Sequence, residues 1–387
     1  MRSSFYSPLL SLLSLVSLAL PITACRDSPS QPQASLSVAG ALRAADDRGY
    51  ARAVEPREFS FPADHGPHPD FRTEWWYYTG NLVTAEGRRF GFQLTFFRSA
   101  LAPQMPARGS AWATRQAWLA HFTVSDVKGE RFHSFERWSR GAVGLAGVRA
   151  TPFRVWVQDW SAQADGGAVF PMRLQAAQGD AAIDLKLDPG KPPVLQGERG
   201  LSRKSSEPGN ASYYYSLTRM PARGTVRLGR ESFTVTGAAW MDREWSTSSL
   251  GAGQVGWDWF ALQLSDGTDL MLYQLRHTDG RPDPASSGSF VEPDGTSRTL
   301  AFRSFSLEGF DAWQSPRSGA RYPARWRVRV PSEGLDLTVT PVLADQELDV
   351  SFRYWEGAVA VEGTRRGSPV EGRGYVELTG YTESPHL

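Results

Sequence analysis

From Phe59 onward, hydrophobic and polar positions alternate in short runs. In Phe90 to Phe97, Phe90, Phe92, Leu94 and Phe96 fall on one side and Gly91, Gln93 and Thr95 on the other. That period of two predicts a strand. Similar runs recur at Trp118 to Val124, Phe153 to Trp160, Ala182 to Leu187, Tyr213 to Thr218, Trp257 to Leu264, Asp269 to Arg276, Ala324 to Val330 and Tyr375 to Tyr381. Turn signals such as Asp266-Gly267, Asp279-Gly280 and Asp294-Gly295 punctuate them. Long helical stripes are almost absent. The pattern predicts a mainly β chain, and short strands at turn-punctuated intervals favour antiparallel barrels or sandwiches over βαβ units.

Two aromatic-rich blocks divide the chain. One opens at Glu74-Trp75-Trp76-Tyr77 and the other at Ala239-Trp240-Met241-Asp242-Arg243-Glu244-Trp245, and a long apolar strand candidate follows each. This parallel order suggests two related β domains of ordinary size, cut near Arg230 to Thr236. The N-terminal domain then covers 56–233 and the C-terminal one 234–387.

Composition narrows the function. The 387 residues suffice for two cores, and 42 Lys plus Arg against 41 Asp plus Glu leave a formal charge of +1. A nucleic-acid partner drawn by net charge is not expected. The short basic run of Arg321, Arg327 and Arg329 is offset by nearby acids. No GxGxxG, GxxxxGK or HExxH run occurs, so nucleotide-binding folds and ordinary zinc hydrolases lose their main support. His65, His68 and Glu74 match no strong ligand spacing; no metal and no cofactor are predicted. The unusual feature is aromatic, with 14 Trp, 12 Tyr and 20 Phe.

The single cysteine, Cys25, permits no intrachain disulfide. It follows a thinly basic start, an apolar stretch from Pro8 to Leu20 and Ile22-Thr23-Ala24. These features describe a secretory leader over 1–24, and Ile22-Thr23-Ala24-Cys25 resembles a bacterial lipobox. Residues 25–55, rich in Ser, Ala, Pro and Gln after the cysteine, read as a flexible tether. The expectation is a lipid-anchored, periplasm-facing protein of the bacterial envelope. Arg26 in place of a retention aspartate favours the outer membrane.

Four clusters could bear chemistry. In the first, strand alternation puts Glu74, Trp76 and Tyr78 on one face, against Trp75 and Tyr77 on the other. His121 sits on a regular strand beside Thr123 and Ser125. Trp240, Asp242 and Glu244 share a third face, and Asp258 lies with Phe260, Leu262 and Leu264. A carboxylate among apolar side chains must be paired, or its pKa rises to that of a useful general acid. In the fourth cluster Tyr375, Glu377, Thr379 and Tyr381 share a face opposite Val376 and Leu378. If such a face turned into a barrel, it would suit an elongated apolar ligand with one polar handle. Each cluster also has a structural reading: an ion-paired clamp for the carboxylates and a hydrogen-bonded strand residue for His121.

Phe71-Arg72-Thr73-Glu74-Trp75-Trp76-Tyr77-Tyr78-Thr79-Gly80, Trp240-Met241-Asp242-Arg243-Glu244-Trp245-Ser246-Thr247-Ser248 and Gly256-Trp257-Asp258-Trp259-Phe260 resemble the AttH and carotenoid 1,2-hydratase superfamily. Tyr354-Trp355-Glu356-Gly357-Ala358-Val359 and Gly374-Tyr375-Val376-Glu377-Leu378-Thr379-Gly380-Tyr381 continue the likeness, which runs in order from about Phe59 to Tyr381. The resemblance implies two consecutive lipocalin-like antiparallel β-barrels. It also implies one of two activities. The first is an exported protein that binds a hydrophobic or amphipathic molecule, in some relatives beside ABC-transporter components. The second is a hydratase that adds water to a terminal double bond of an acyclic carotenoid or related isoprenoid. A non-catalytic interaction module is the third reading. For hydration, Asp242 and Asp258 are the candidate acid or cation stabiliser, with His121 or Tyr375 orienting water. Glu74, Trp76, Tyr78, Trp240, Trp257, Trp259, Tyr375 and Glu377 are the candidate ligand-binding residues.

Overall fold

The computed structural model describes residues 47–105, 109–248 and 250–381, so the leader and Cys25 lie outside the described residues. The first sheet starts with β1 (Thr73–Val83), β2 (Arg89–Ala100), β3 (Gln116–Asp126) and β4 (Arg131–Arg140). Shorter strands follow: β5 (Ala146–Ala150), β6 (Phe153–Val157), β7 (Trp160–Ala164), β8 (Met172–Gln178), β9 (Ala181–Leu187), β10 (Val194–Leu195) and β11 (Leu201–Arg203). Two 18-residue strands, β12 (Ala211–Leu228) and β13 (Glu231–Ser248), complete it. The order is β4-β3-β2-β1-β13-β12-β9-β8-β7-β6-β5, with β10 and β11 paired to β12. This antiparallel sheet curls into a nearly closed barrel.

The second sheet is an open half-barrel. Its strands are β14 (Gln254–Leu264), β15 (Asp269–His277), β16 (Ser287–Val291), β17 (Ser297–Ala301), β18 (Ser306–Gln314), β19 (Arg321–Val330), β20 (Leu335–Pro341), β21 (Glu347–Asp349), β22 (Arg353–Arg365) and β23 (Ser368–Leu378). They are ordered β17-β16-β15-β14-β23-β22-β20-β19-β18, with β21 on β22. Two barrels were expected. Here β17 and β18 remain edges, while Phe260, Trp326 and Trp355 fill the concave face.

The sheets part between Ser248 and Gln254, later than the cut read from the sequence. The block at Ala239 to Trp245 does not open a second domain. It lies in β13, paired with the first aromatic block: Glu74 opposes Trp245, Trp75 opposes Glu244 and Tyr77 opposes Asp242. The two blocks look alike because they are neighbouring strands of one sheet, with the same faces to cover.

Strand alternation gives each sheet an apolar inner face. Trp76, Tyr78, Phe92, Leu94, Met241 and Trp245 lie in the first core, and Phe260, Leu262, Val376 and Leu378 in the second. A third cluster, including Tyr77, Tyr214, Trp240, Trp259, Ala261 and Tyr375, joins the outer faces of the two sheets. Burying this aromatic area holds the sheets together at roughly 25 cal/mol per Å². Polar contacts fix the register: Asn81 Nδ2 donates to the Gly374 carbonyl at 3.0 Å, and Ser125 Oγ to Gln346 Oε1 at 2.7 Å. Buried Asp269 of β15 meets Arg219 of β12 and Lys191, with Lys191 Nζ at 2.8 Å. The sheets approach closely at Gly91, where an added Cβ would come within 2.5 Å of the Ala358 methyl.

Candidate functional site

A cavity lies between the sheets, and the paired registers determine what lines it. From β1 come Thr73, Trp75 and Tyr77, and from β13 Asp242 and Glu244. Trp257 and Trp259 of β14, Tyr273 of β15 and Glu377 of β23 face them. Phe97, Leu119, His121, Trp138, Phe352 and Tyr354 close the other end. Glu377 is brought to the site by its opposition to Trp259 across one strand pair and to Glu356 across the other.

Asp242 is buried and accepts three hydrogen bonds: from Trp240 Nε1 at 2.7 Å, Ser216 Oγ at 2.5 Å and Tyr214 Oη at 2.6 Å. Burial still pushes its pKa up to about 7, with the nearby Glu244 adding to the rise and the three donors opposing it. Glu377 borders the cavity and is pushed up to about 8 by loss of solvent, despite a hydrogen bond from the Trp257 side chain. Asp242 and Glu244 raise it further. Glu244 is paired with Lys204 Nζ at 3.1 Å. That ammonium sits over the Tyr273 ring, 4.4 Å from its centroid. Behind this group, buried Glu356 accepts from Tyr77 Oη at 2.8 Å, and burial beside Glu377 drives its pKa well upward. The site therefore offers carboxyl groups able to hold protons at neutral pH, inside aromatic walls.

The opposite end is built differently. His121 Nδ1 and Tyr354 Oη share a hydrogen bond of 2.7 Å, and His121 Nε2 makes none. Burial lowers the imidazole pKa to about 3, so the ring is neutral. Neutral His121 keeps one N–H and can direct a polar atom, but it has no imidazolium proton to give as an acid.

The structure brings Asp242, Trp257, Trp259, Glu377 and His121 to one cavity, with Trp240 directly behind Asp242. Tyr375 stands beside it, its hydroxyl 3.2 Å from Thr123 Oγ1. Four predicted site residues lie elsewhere. Glu74, Trp76 and Tyr78 point into the first barrel. There Glu74 binds Arg98 and Arg243, while Trp76 Nε1 donates to the His65 carbonyl at 2.9 Å. Asp258 points to the inner side of the second sheet, between Arg276 Nε at 3.0 Å and Tyr381 Oη at 3.0 Å. Burial raises its pKa, but Arg276 and Tyr381 oppose the rise, and the group serves as a clamp. The polar-aromatic face of Tyr375 and Glu377 meets the other sheet rather than a barrel interior, because Val376 and Leu378 already fill that interior. Sequence reasoning did not select Trp75, Tyr77, Glu244, Lys204, Tyr214, Glu356 or Tyr354 as site residues. Glu244 had a signal, since it shares a strand face with Asp242; Lys204 had none. Among the described residues, no group of three or more His, Cys, Asp or Glu side chains is arranged to hold a metal ion.

A family model described as AttH-like matches residues 52–381. The chain belongs to the AttH-like family. The crystal structure of a Nitrosomonas europaea protein described as AttH shares 36% identity with it. That match covers 86% of this chain and 99% of the other, with a TM-score of 0.76. Kievitone hydratase from Nectria haematococca is similar at 14% identity, covering 86% and 96% of the two chains with a TM-score of 0.66. CghA in complex with Sch210972 matches at 14% identity over 88% and 98%, with a TM-score of 0.50. At such identities the last two show the AttH-like fold alone. No curated protein matches the chain.

Proposed function

We propose that this AttH-like protein is a hydratase, adding water across a carbon–carbon double bond of a hydrophobic, isoprenoid-like molecule held between the two sheets. The observation that carries the reading is the meeting of Asp242, Glu244 and Glu377 in one aromatic cavity. Two of these carboxyls have pKa values raised to the neutral range. A ligand cavity that was only apolar would not need them. The shared fold of kievitone hydratase adds that this architecture houses a hydratase elsewhere.

Glu377 is the acid: one indole hydrogen bond leaves its carboxyl free to face the cavity as a proton donor. Asp242, held by three donors, is better prepared to be the anion. In the step, the alkene π pair takes the Glu377 proton at its less substituted carbon, leaving a tertiary cation at the other. The faces of Trp75, Trp257 and Trp259 attract that cation. Water attacks it, its lost proton passes to Asp242, and the product is a tertiary alcohol. Proton exchange from Asp242 back to Glu377 restores the starting state.

Incubation with an acyclic carotenoid in heavy-oxygen water is expected to place the label in a tertiary alcohol, read by mass spectrometry. If no acyclic isoprenoid takes up label, while native mass spectrometry shows an apolar molecule bound, the hydratase reading falls and a binding protein remains.

From Ile22-Thr23-Ala24-Cys25 we also propose acylation at Cys25 and attachment to the envelope membrane. Membrane fractions are expected to hold a mature chain beginning at a lipid-modified Cys25. Cys25→Ser is expected to release the protein or block its processing; an unmodified N-terminus elsewhere by intact mass overturns the anchor.

A further inference from the structure

We infer that the rim of the first barrel around the cavity mouth is a membrane-contact surface, through which an apolar substrate passes directly from a lipid bilayer. The mouth is marked by the cavity-lining residues that reach the surface, Ser99 at the end of β2 and Trp138 near the end of β4. Trp138 is 45% exposed. Ser99 opposes Ala117 across β2 and β3, and Ala117 opposes Arg140 across β3 and β4, so all three strand ends meet here.

Among the described residues, nine large hydrophobic side chains are exposed, and six of them lie on this rim. Leu101, Met105 and Trp112 are on the β2–β3 connection, more than half exposed at 66%, 58% and 53%. Trp138, Val143 and Leu145 are on β4 and the turn after it. Isolated exposed apolar residues need no explanation, but a concentration on one edge marks a contact surface. The connection is tied down at its base: Leu101 N donates to the Arg115 carbonyl at 2.7 Å, and the Arg115 guanidinium donates to the Pro103 carbonyl.

The position of the first described residues selects a bilayer as the occupant. The described residues begin at Asp47, and the first of them run against this same rim. Tyr50 Oη donates to the Ala100 carbonyl at 3.4 Å, and Gly49 abuts the Pro103 ring. The described residues thus begin beside the exposed apolar residues and the mouth. The acyl anchor proposed at Cys25, upstream of Asp47 in the sequence, would favour this edge as the one facing its membrane. A single acyl chain gives only marginal membrane binding, and the apolar rim would add a second contact. This inference draws on the proposed anchor for its orientation, but its test does not need the anchor.

The full chain carrying Cys25→Ser is mixed with vesicles of phosphatidylethanolamine and phosphatidylglycerol and floated through a density gradient. The protein with its native rim is expected to float. Adding Leu101→Ser, Met105→Ser and Trp112→Ser together is expected to reduce the floating fraction about tenfold or more, through loss of buried apolar area. All three side chains are exposed, so an unchanged thermal melt is the folding control. Equal flotation of the two proteins, or none with the native rim, overturns the inference while leaving the acyl anchor to its own test. Sedimentation showing a dimer that the triple variant splits would also overturn it, making the rim an interface between copies. The hydratase reading is tested separately: with detergent-dispersed substrate the triple variant is expected to turn over at the native rate, and with vesicle-held substrate more slowly.

Discussion

Glu377→Gln is expected to lower turnover about 100-fold or more, the range for loss of a general acid. Gln keeps the size and an acceptor for the Trp257 side chain, so the cavity walls survive and only the proton is removed. The pH dependence identifies the groups. With Glu377 near pKa 8 as the acid and Asp242 near 7 as the base, turnover is expected to be bell-shaped, highest between about 7 and about 8. Above that window Glu377 has lost its proton; below it Asp242 has gained one. The residual activity of Glu377→Gln should lack the alkaline limb, and that of Asp242→Asn the acid limb. Asp258→Asn, outside the cavity, serves as the control and is expected to keep the bell. Stability moves the opposite way. Because both folded pKa values are raised, each group's contribution is complete below its ordinary value of 4.5 or 3.8 and is lost as pH rises through about 8 or about 7. Above pH 8, Glu377→Gln is therefore expected to melt no lower than the native protein. An inactive Glu377→Gln that also melts far below it at pH 9 would assign the residue to structure.

Arg243→Met is expected to cost about 3–5 kcal/mol of unfolding free energy at pH 7, measured by urea titration, because it removes one of the two arginines paired with a buried carboxylate. Glu74, Arg98 and Arg243 are all essentially inaccessible to solvent. Arg98 Nε donates to Glu74 Oε1 at 2.6 Å, and the Arg243 guanidinium donates to Glu74 Oε2. Arg243 also donates to the Gly66 carbonyl at 2.6 Å, and its guanidinium lies 3.9 Å from the Trp76 ring centroid. Methionine retains part of the packing on Trp76 and none of the charge, so the loss reports Glu74 Oε2 and the Gly66 carbonyl deprived of their guanidinium donor. Burial pushes the Glu74 pKa up, but Arg243, Arg98 and His68 outweigh it and hold the carboxyl well below 4.5. A depressed folded pKa gives stability that is present above pH 4.5 and is lost as pH falls through the folded value. Acidification below 4.5 is therefore expected to weaken the native protein more steeply than Glu74→Gln, which has no proton to take up. A loss under 1 kcal/mol in Arg243→Met would show that the two remaining partners, Arg98 and His68, suffice.

Strand alternation was enough to place most elements and to sort each strand into two faces. It puts Asp242 with Glu244 and Tyr375 with Glu377, because a β strand has a fixed period of two. It also showed that carboxylates sit among tryptophans and must be either paired or protonated. Periodicity does not state which face meets which partner. Glu74 and Asp258 each lie in an aromatic block as Asp242 does, yet arginines from other strands neutralise the first two and hydroxyl and indole donors surround the third. Arg98 is 24 residues from Glu74 and Arg276 is 18 from Asp258. Such partners are brought together by strand pairing, which local sequence does not encode. The same holds for Lys204, which reaches Glu244 from the segment before β12. The aromatic blocks marked strands with rich outer faces, but only strand pairing put both of them, β1 and β13, in one sheet. Only the packing of those faces decided that the cavity lies between the sheets, since each inner face was already filled with apolar side chains.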